Sequence, residues 1–163
     1  MSTHNNFIPI NIAVVTISDT RILDNDKSGD VLEDRVLKSN HKIISRDIVK
    51  DNFEEIYELF SNLINNEKID VIISTGGTGL TGRDITPEVM KKLFEKTIDG
   101  FGEMFRWLSY SKIGTSSMQS RALAGVSNGT YIFCLPGSPS ACRDGWDQIL
   151  IHQLDITHKP CNF

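Results

Sequence analysis

The residues with the strongest chemical signature lie in one stretch, STGGTGLTGRDITPE at positions 74–88. Its glycines remove side chains, so backbone N–H groups can come close to an anion. Thr75, Thr78 and Thr81 add hydroxyl donors. Thr86, Pro87 and Glu88 read as N-cap, N1 and N2 of a helix, whose positive dipole end also favours an anion. Asp84 stands among these anion-attracting groups, where a bare carboxylate would repel phosphate. Two readings are open for it: it supports the helix dipole, or it binds a divalent cation that bridges to phosphate. Mg2+ takes one or two carboxylates together with phosphate oxygens and water. The loop built on Gly76, Gly77, Thr78 and Gly79 likewise reads either as a tight turn or as a phosphate cradle. It is not a Walker A sequence, and it follows the third strand, at 70–75, and not the first, where a dinucleotide-binding glycine loop belongs.

Other candidates fall at equivalent places along the chain. Asp51, in IVKDN, is a second carboxylate for a metal site, or else a surface residue beside a helix start. Asp19, in TISDT, is a third acid at the end of a strand, and Ser18 beside it is a binding candidate. The LPGSPSA loop at 135–141 offers Pro136, Gly137, Ser138 and Ser140 for a second anion or a ring. Arg121 is the leading basic candidate for an anionic substrate, ahead of Arg21, Arg83 and Arg106, because guanidinium pairs bidentately with phosphate. A serine hydrolase is excluded: G-x-S-x-G is absent, and none of His4, His41, His152 and His158 is placed to activate Ser138.

These residues need elements to hold them. Residues 10–18, 43–49 and 70–75 read as strands, with helices over 29–39, from Phe53 after an Asn52 N-cap, and from Thr86 to Phe94. Residues 98–121 carry mixed helix and loop signals. SNGT at 127–130 is a hairpin signature before a strand at 131–135, and a helix runs from Ser138 or Ser140 to Gln153. The alternation predicts an α/β fold of three layers, α/β/α, with a mostly parallel sheet and a small hairpin. Its ligand site would lie at the carboxyl edge of the strands. Nothing divides the chain, so residues 1–163 form one domain with terminal arms at 1–9 and 154–163. Phe101, Phe105, Trp107 and Trp146 are assigned to core or subunit packing.

Composition narrows the function classes. With 163 residues, 39% hydrophobic and 23% charged, the chain is an ordinary globular domain. A net charge of −4 argues against a dedicated nucleic-acid binder. Cys134, Cys142 and Cys161 form no C-x-x-C pair, which favours reduced thiols over zinc or a disulfide framework. No signal-peptide pattern and no membrane-length apolar run is present, so a cytoplasmic protein without a membrane partner is expected.

STGGTGLTGRDITPE, GFGEMFR, IGTSSMQSRALAGV and LPGSPSACRDGW, together with the closing KPCNF, resemble the molybdenum cofactor biosynthesis proteins of the MoaB/MogA type. FIPINIAVVTIS and the closing residues resemble the MoaB branch more than MogA. The resemblance spans nearly the whole chain and rests on the combination of motifs. It implies a molybdopterin-binding fold, assembly into trimers or hexamers, and adenylyl transfer from Mg-ATP to the terminal phosphate of molybdopterin. Pyrophosphate would leave, and a molybdate-inserting protein would take the adenylylated product. It also implies Asp51 and Asp84 as catalytic, metal-supporting acids, the glycine loop as phosphate or nucleotide site, and Pro136–Ser140 as a pocket wall. Family members often read V-P-D where this chain reads V-K-D at 49–51; the acid is kept, the loop shape is put in question. The alternative is a catalytically silent paralogue that binds molybdopterin as a scaffold. A nicotinamide oxidoreductase would need its glycine fingerprint after the first strand, and TISDTR does not supply it.

Overall fold

A computed structural model describes residues 6–158 and residue 160. The strands are β1 (Asn11–Ile17), β2 (Lys42–Val49), β3 (Val71–Thr75), β4 (Lys96–Thr97), β5 (Leu123–Ser127) and β6 (Thr130–Leu135). The helices are α1 (Lys27–Lys38), α2 (Phe53–Ile64), α3 (Thr86–Leu93), α4 (Asp99–Ile113) and α5 (Pro139–Gly145). Helix α5 continues through a π turn at Trp146–Leu150 into α6 (Ile151–Gln153).

The strands form one sheet in the order β2-β1-β3-β6-β5-β4. β2, β1, β3 and β6 are parallel; β5 runs antiparallel to β6 and β4 antiparallel to β5. The expected mostly parallel α/β sheet is therefore present. The chain leaves β1 toward β2 on one side and reaches β3 on the other, so the strand order reverses at β1. Loops diverge there and open a crevice at the carboxyl ends.

The side-chain period of two sends alternate residues of each central strand to opposite faces. Ile12, Val14, Ile73, Phe133 and Leu135 pack with Leu32 and Val36 of α1, Phe101 and Phe105 of α4, and Trp146. Ala13, Val15, Ile72, Ile132 and Cys134 pack with Ile56 and Phe60 of α2 and with Val89 and Met90 of α3. Both faces are buried, which is why β1 and β3 read as continuous apolar runs rather than alternating ones.

Local signals place most boundaries. Asn52 accepts the Glu55 N–H as the α2 N-cap, and Ser138 accepts the Ala141 N–H as the α5 N-cap. Asn128 and Gly129 have φ of 49° and 76°, the positive pair that a tight hairpin between β5 and β6 requires. Three details differ from the sequence expectation. Thr86 is not an N-cap but the first residue of α3, with Ile85 at the cap. Helix α1 starts earlier than position 29, because buried Asp26 caps it through the Gly29 N–H. The 154–163 arm is not wholly extended: Leu154 is buried and Ile156–His158 form a 3-10 turn. Within the arm expected at 1–9, residues 1–5 lie outside the described residues. Among the described residues no helix is long and apolar enough to cross a membrane.

Candidate functional site

Four parallel strands end at one level, with Thr16 opposite Thr75 and Thr75 opposite Leu135. Their loops enclose a cavity of about 630 Å³. Residues 16–21 line it after β1, Asp51 after β2, residues 75–79 with Arg83 and Asp84 after β3, and residues 136–138 after β6. The structure thus brings together Ser18, Asp51, Thr75, Gly76, Gly77, Thr78, Gly79, Asp84, Pro136, Gly137 and Ser138.

The glycine loop is fixed by close packing. Gly76 has φ +104°, and a Cβ there would stand 2.1 Å from the Ile17 carbonyl oxygen. Gly77 has φ +65°, and a Cβ there would stand 2.2 Å from Thr86 Oγ1. Thr86 explains the second contact: its hydroxyl donates to Gly76 O at 3.1 Å and its N–H to Gly77 O at 3.0 Å. The residue expected to cap α3 instead ties the helix start back to the loop. Thr75 is also committed, since Oγ1 donates to Pro136 O at 2.8 Å and joins the β3 and β6 loops. The hydroxyl protons of Thr75 and Thr81 are both given to groups of the protein here.

Asp84 organises the second half of the loop. Its Oδ2 accepts the Thr81 N–H at 2.9 Å and the Thr81 hydroxyl at 2.6 Å. The Thr81 hydroxyl, helped by the Thr81 and Gly79 amides and by Arg121, holds its carboxyl below the usual carboxylate value against a smaller push from burial. Asp51 behaves oppositely. Burial pushes its carboxyl up, and the charges of Asp84 and Asp19 add to that, against the Ile85 N–H and Arg83. Asp51 Oδ1 accepts the Ile85 N–H at 3.3 Å, and Asp19 Oδ1 accepts the Asp51 N–H at 3.2 Å. Asp19 also pairs with Arg83 at 2.5 Å, so its charge is partly spent at the rim.

Among the described residues, no group of three or more His, Cys, Asp or Glu is arranged to hold a metal ion. The donor set is instead a pair of carboxylates, one of them desolvated and repelled by like charge. That set fits Mg2+, which uses few protein carboxylates and completes its shell with ligand phosphate and water.

Arg121 and Ser140 are not part of the cavity wall. Arg121 sits behind the loop: Nε donates to Gly79 O at 2.7 Å, Nη2 to Asp84 O at 2.5 Å, and Nη1 to Glu88. Those contacts tie Arg121 to the back of the loop as a brace. Sequence reasoning ranked Arg21 below Arg121 and did not single out Asp26. Arg21 lines the cavity, with Asp26 fully buried beneath it. Burial pushes the Asp26 carboxyl up, but donors from Thr16, Gly29 and Arg46 outweigh it and leave the carboxyl lowered. A run such as DNDKSG looks like a polar loop, and only tertiary contacts reveal which acid turns inward.

Residues 13–156 match the family described as a probable molybdopterin binding domain. The chain is similar to molybdenum cofactor biosynthesis protein B of Escherichia coli strain K12, with 46% identity over 157 residues, 96% of this chain and 92% of that protein. It is 40% identical over 147 residues to a protein of Methanocaldococcus jannaschii named probable molybdopterin adenylyltransferase, covering 86% of this chain and 87% of that one. A crystal structure of molybdenum cofactor biosynthesis protein B superposes with a TM-score of 0.87 at 40% identity, over 90% of this chain and 92% of that chain.

Proposed function

We propose that this chain, which belongs to the molybdopterin-binding domain family, acts in molybdenum cofactor biosynthesis as a molybdopterin adenylyltransferase. The observation that carries this reading is the convergence of the glycine loop, Asp51 and Asp84 in one cavity. A site for binding alone has no need of two carboxylates beside phosphate-attracting amides. A relative's name, probable molybdopterin adenylyltransferase, supports the same reaction.

In this reading a terminal phosphate oxygen of molybdopterin attacks the α-phosphorus of ATP. The bond between that phosphorus and the bridging oxygen to the β-phosphate breaks, and pyrophosphate leaves. Little covalent chemistry falls to the protein, whose task is positioning and charge neutralisation. Amides of Gly77 and Thr78 would receive phosphate oxygens, since the Gly76 N–H donates to Leu135 O and the Gly79 amide serves Asp84. Ser18, Thr75, Thr78, Pro136, Gly137 and Ser138 shape the walls around the two substrates. Asp51 and Asp84 would hold Mg2+, which when bound neutralises charge on the triphosphate. The Ile85 N–H on Asp51 and the Thr81 donors on Asp84 keep both acids oriented.

Use of ATP would place the activity in the cytoplasm, and a molybdate-inserting protein would consume the product. The protein would act as a homo-oligomer, a trimer or a hexamer. Met104, Trp107, Tyr110 and Ile113 on α4, with Met118 after it, are 49–79% exposed and form an apolar stripe suited to a subunit contact. Mass-spectrometric detection of adenylylated molybdopterin after incubation with Mg-ATP and molybdopterin tests the reaction. Its absence, with molybdopterin bound, would favour the silent scaffold.

A further inference from the structure

Two arginines line the cavity, and they are held in different ways. Arg83 has a side chain 76% exposed and reaches across to Asp19. Arg21 is anchored from beneath. Its Nη1 donates to Oδ1 of buried Asp26 at 3.4 Å and to Ser28 Oγ at 3.1 Å, and its Nη2 donates to the Gly137 carbonyl at 3.2 Å. Ser28 Oγ donates to that same carbonyl at 2.8 Å, so these acceptors form one cluster at the Nη1/Nη2 end of the guanidinium.

A guanidinium carries five N–H donors in a fixed fork, and Nε shares its edge with Nη2. Among the described residues Arg21 Nε donates to no protein group. The same chain shows what that edge does with an oxyanion: Nε and Nη2 of Arg35 donate to the two oxygens of Asp147 at 2.8 and 3.2 Å. Arg21 also borders an adjoining hollow of about 730 Å³ that shares residues 18–21 with the cavity, so the residue stands where the two spaces meet.

We propose that Arg21 is the fixed oxyanion contact of this site, meeting phosphate oxygens through Nε and Nη2, with Asp26 and Ser28 as positioning residues behind it. The assignment rests on the phosphate-ligand reading given above. A guanidinium already tied at its far end gives up little side-chain freedom when a ligand arrives, so more of the charge-assisted bond appears as affinity. An arginine held only by an exposed partner, like Arg83, lacks that advantage.

The test is calorimetric titration of inorganic pyrophosphate with Mg2+ into the full chain, at several salt concentrations, with thermal melting of each variant alongside. R21Q is expected to weaken binding about tenfold or more and to flatten its salt dependence. R21K recovers only part of the loss, since a point charge replaces the fork. S28A keeps the guanidinium but removes one of its anchors, and is expected to weaken binding by about threefold, clearly less than R21Q. Wild-type affinity in R21Q, or an equal loss in S28A, would overturn the assignment of Arg21 alone. No binding by the wild-type protein would overturn the phosphate-ligand reading together with it.

Discussion

The backbone N–H of Ile85 donates to Asp51 Oδ1 at 3.3 Å, which fastens the acid after β2 to the residue directly following Asp84. Two acids from different loops are thereby held on one cavity, and their protonation is linked. Burial pushes the Asp51 carboxyl up, and the Asp84 charge adds to it. An acid raised on folding contributes stability below its ordinary value of 3.8, and that contribution is lost as pH rises through the raised folded value. Neutralising Asp84 should therefore move Asp51 downward. In D84N, carboxyl NMR is expected to show Asp51 titrating at lower pH than in the wild type. An unchanged midpoint would mean that the Asp84 charge does not act on Asp51.

The glycine loop predicts a contrast within one segment. G76A places a Cβ against the Ile17 carbonyl at a positive φ, whereas a Cβ at Gly82 meets nothing within 4 Å. G76A should cost about 2–3 kcal/mol, lowering Tm by roughly 5–10 °C. G82A should stay within about 0.5 kcal/mol of wild type. Thermal melts of equal midpoint for the two variants would show that the loop moves aside without strain.

Arg121 is predicted to act through the loop. R121Q removes donors to the carbonyls of Gly79 and Asp84, so it should lower turnover and stability, the latter by about 1–3 kcal/mol. The salt dependence of pyrophosphate binding should keep its wild-type slope, because a brace outside the cavity wall meets no ligand phosphate. A flattened slope in R121Q would place its charge in the binding site after all.

The contrast between Arg121 and Arg21 shows where sequence reading stopped. Strand runs such as INIAVVTIS carry both their burial and their pairing, so the layers and the sheet edge were legible. The convergence of Asp51, Asp84 and the two loops follows from that edge. Guanidinium direction does not: RALAG and SDTR look alike in kind, and only the packing of Gly79 and Gly137 decides which arginine braces and which faces the cavity. Thr86 misled for a related reason. Its sequence context is that of a cap, but the nearby Gly76 carbonyl offered its hydroxyl a tertiary acceptor. Of the two roles expected for the aromatics, Phe101, Phe105 and Trp146 take the core, while Trp107, at 73% exposure, is left for subunit packing.

That exposed tryptophan carries the prediction about assembly. If the α4 stripe is a subunit contact, the W107E/M118E pair should shift the protein toward monomer in sedimentation velocity at micromolar concentration while leaving its far-UV circular dichroism intact. An unchanged sedimentation coefficient would assign the stripe to another purpose.

Pyrophosphate release from Mg-ATP in the presence of molybdopterin tests the central claim most directly, with wild type and D84N measured side by side. The account predicts release by the wild type and a fall of about 100-fold or more in D84N, with molybdopterin binding retained. Wild-type rates in D84N, or no pyrophosphate from wild-type protein that binds molybdopterin, would contradict it.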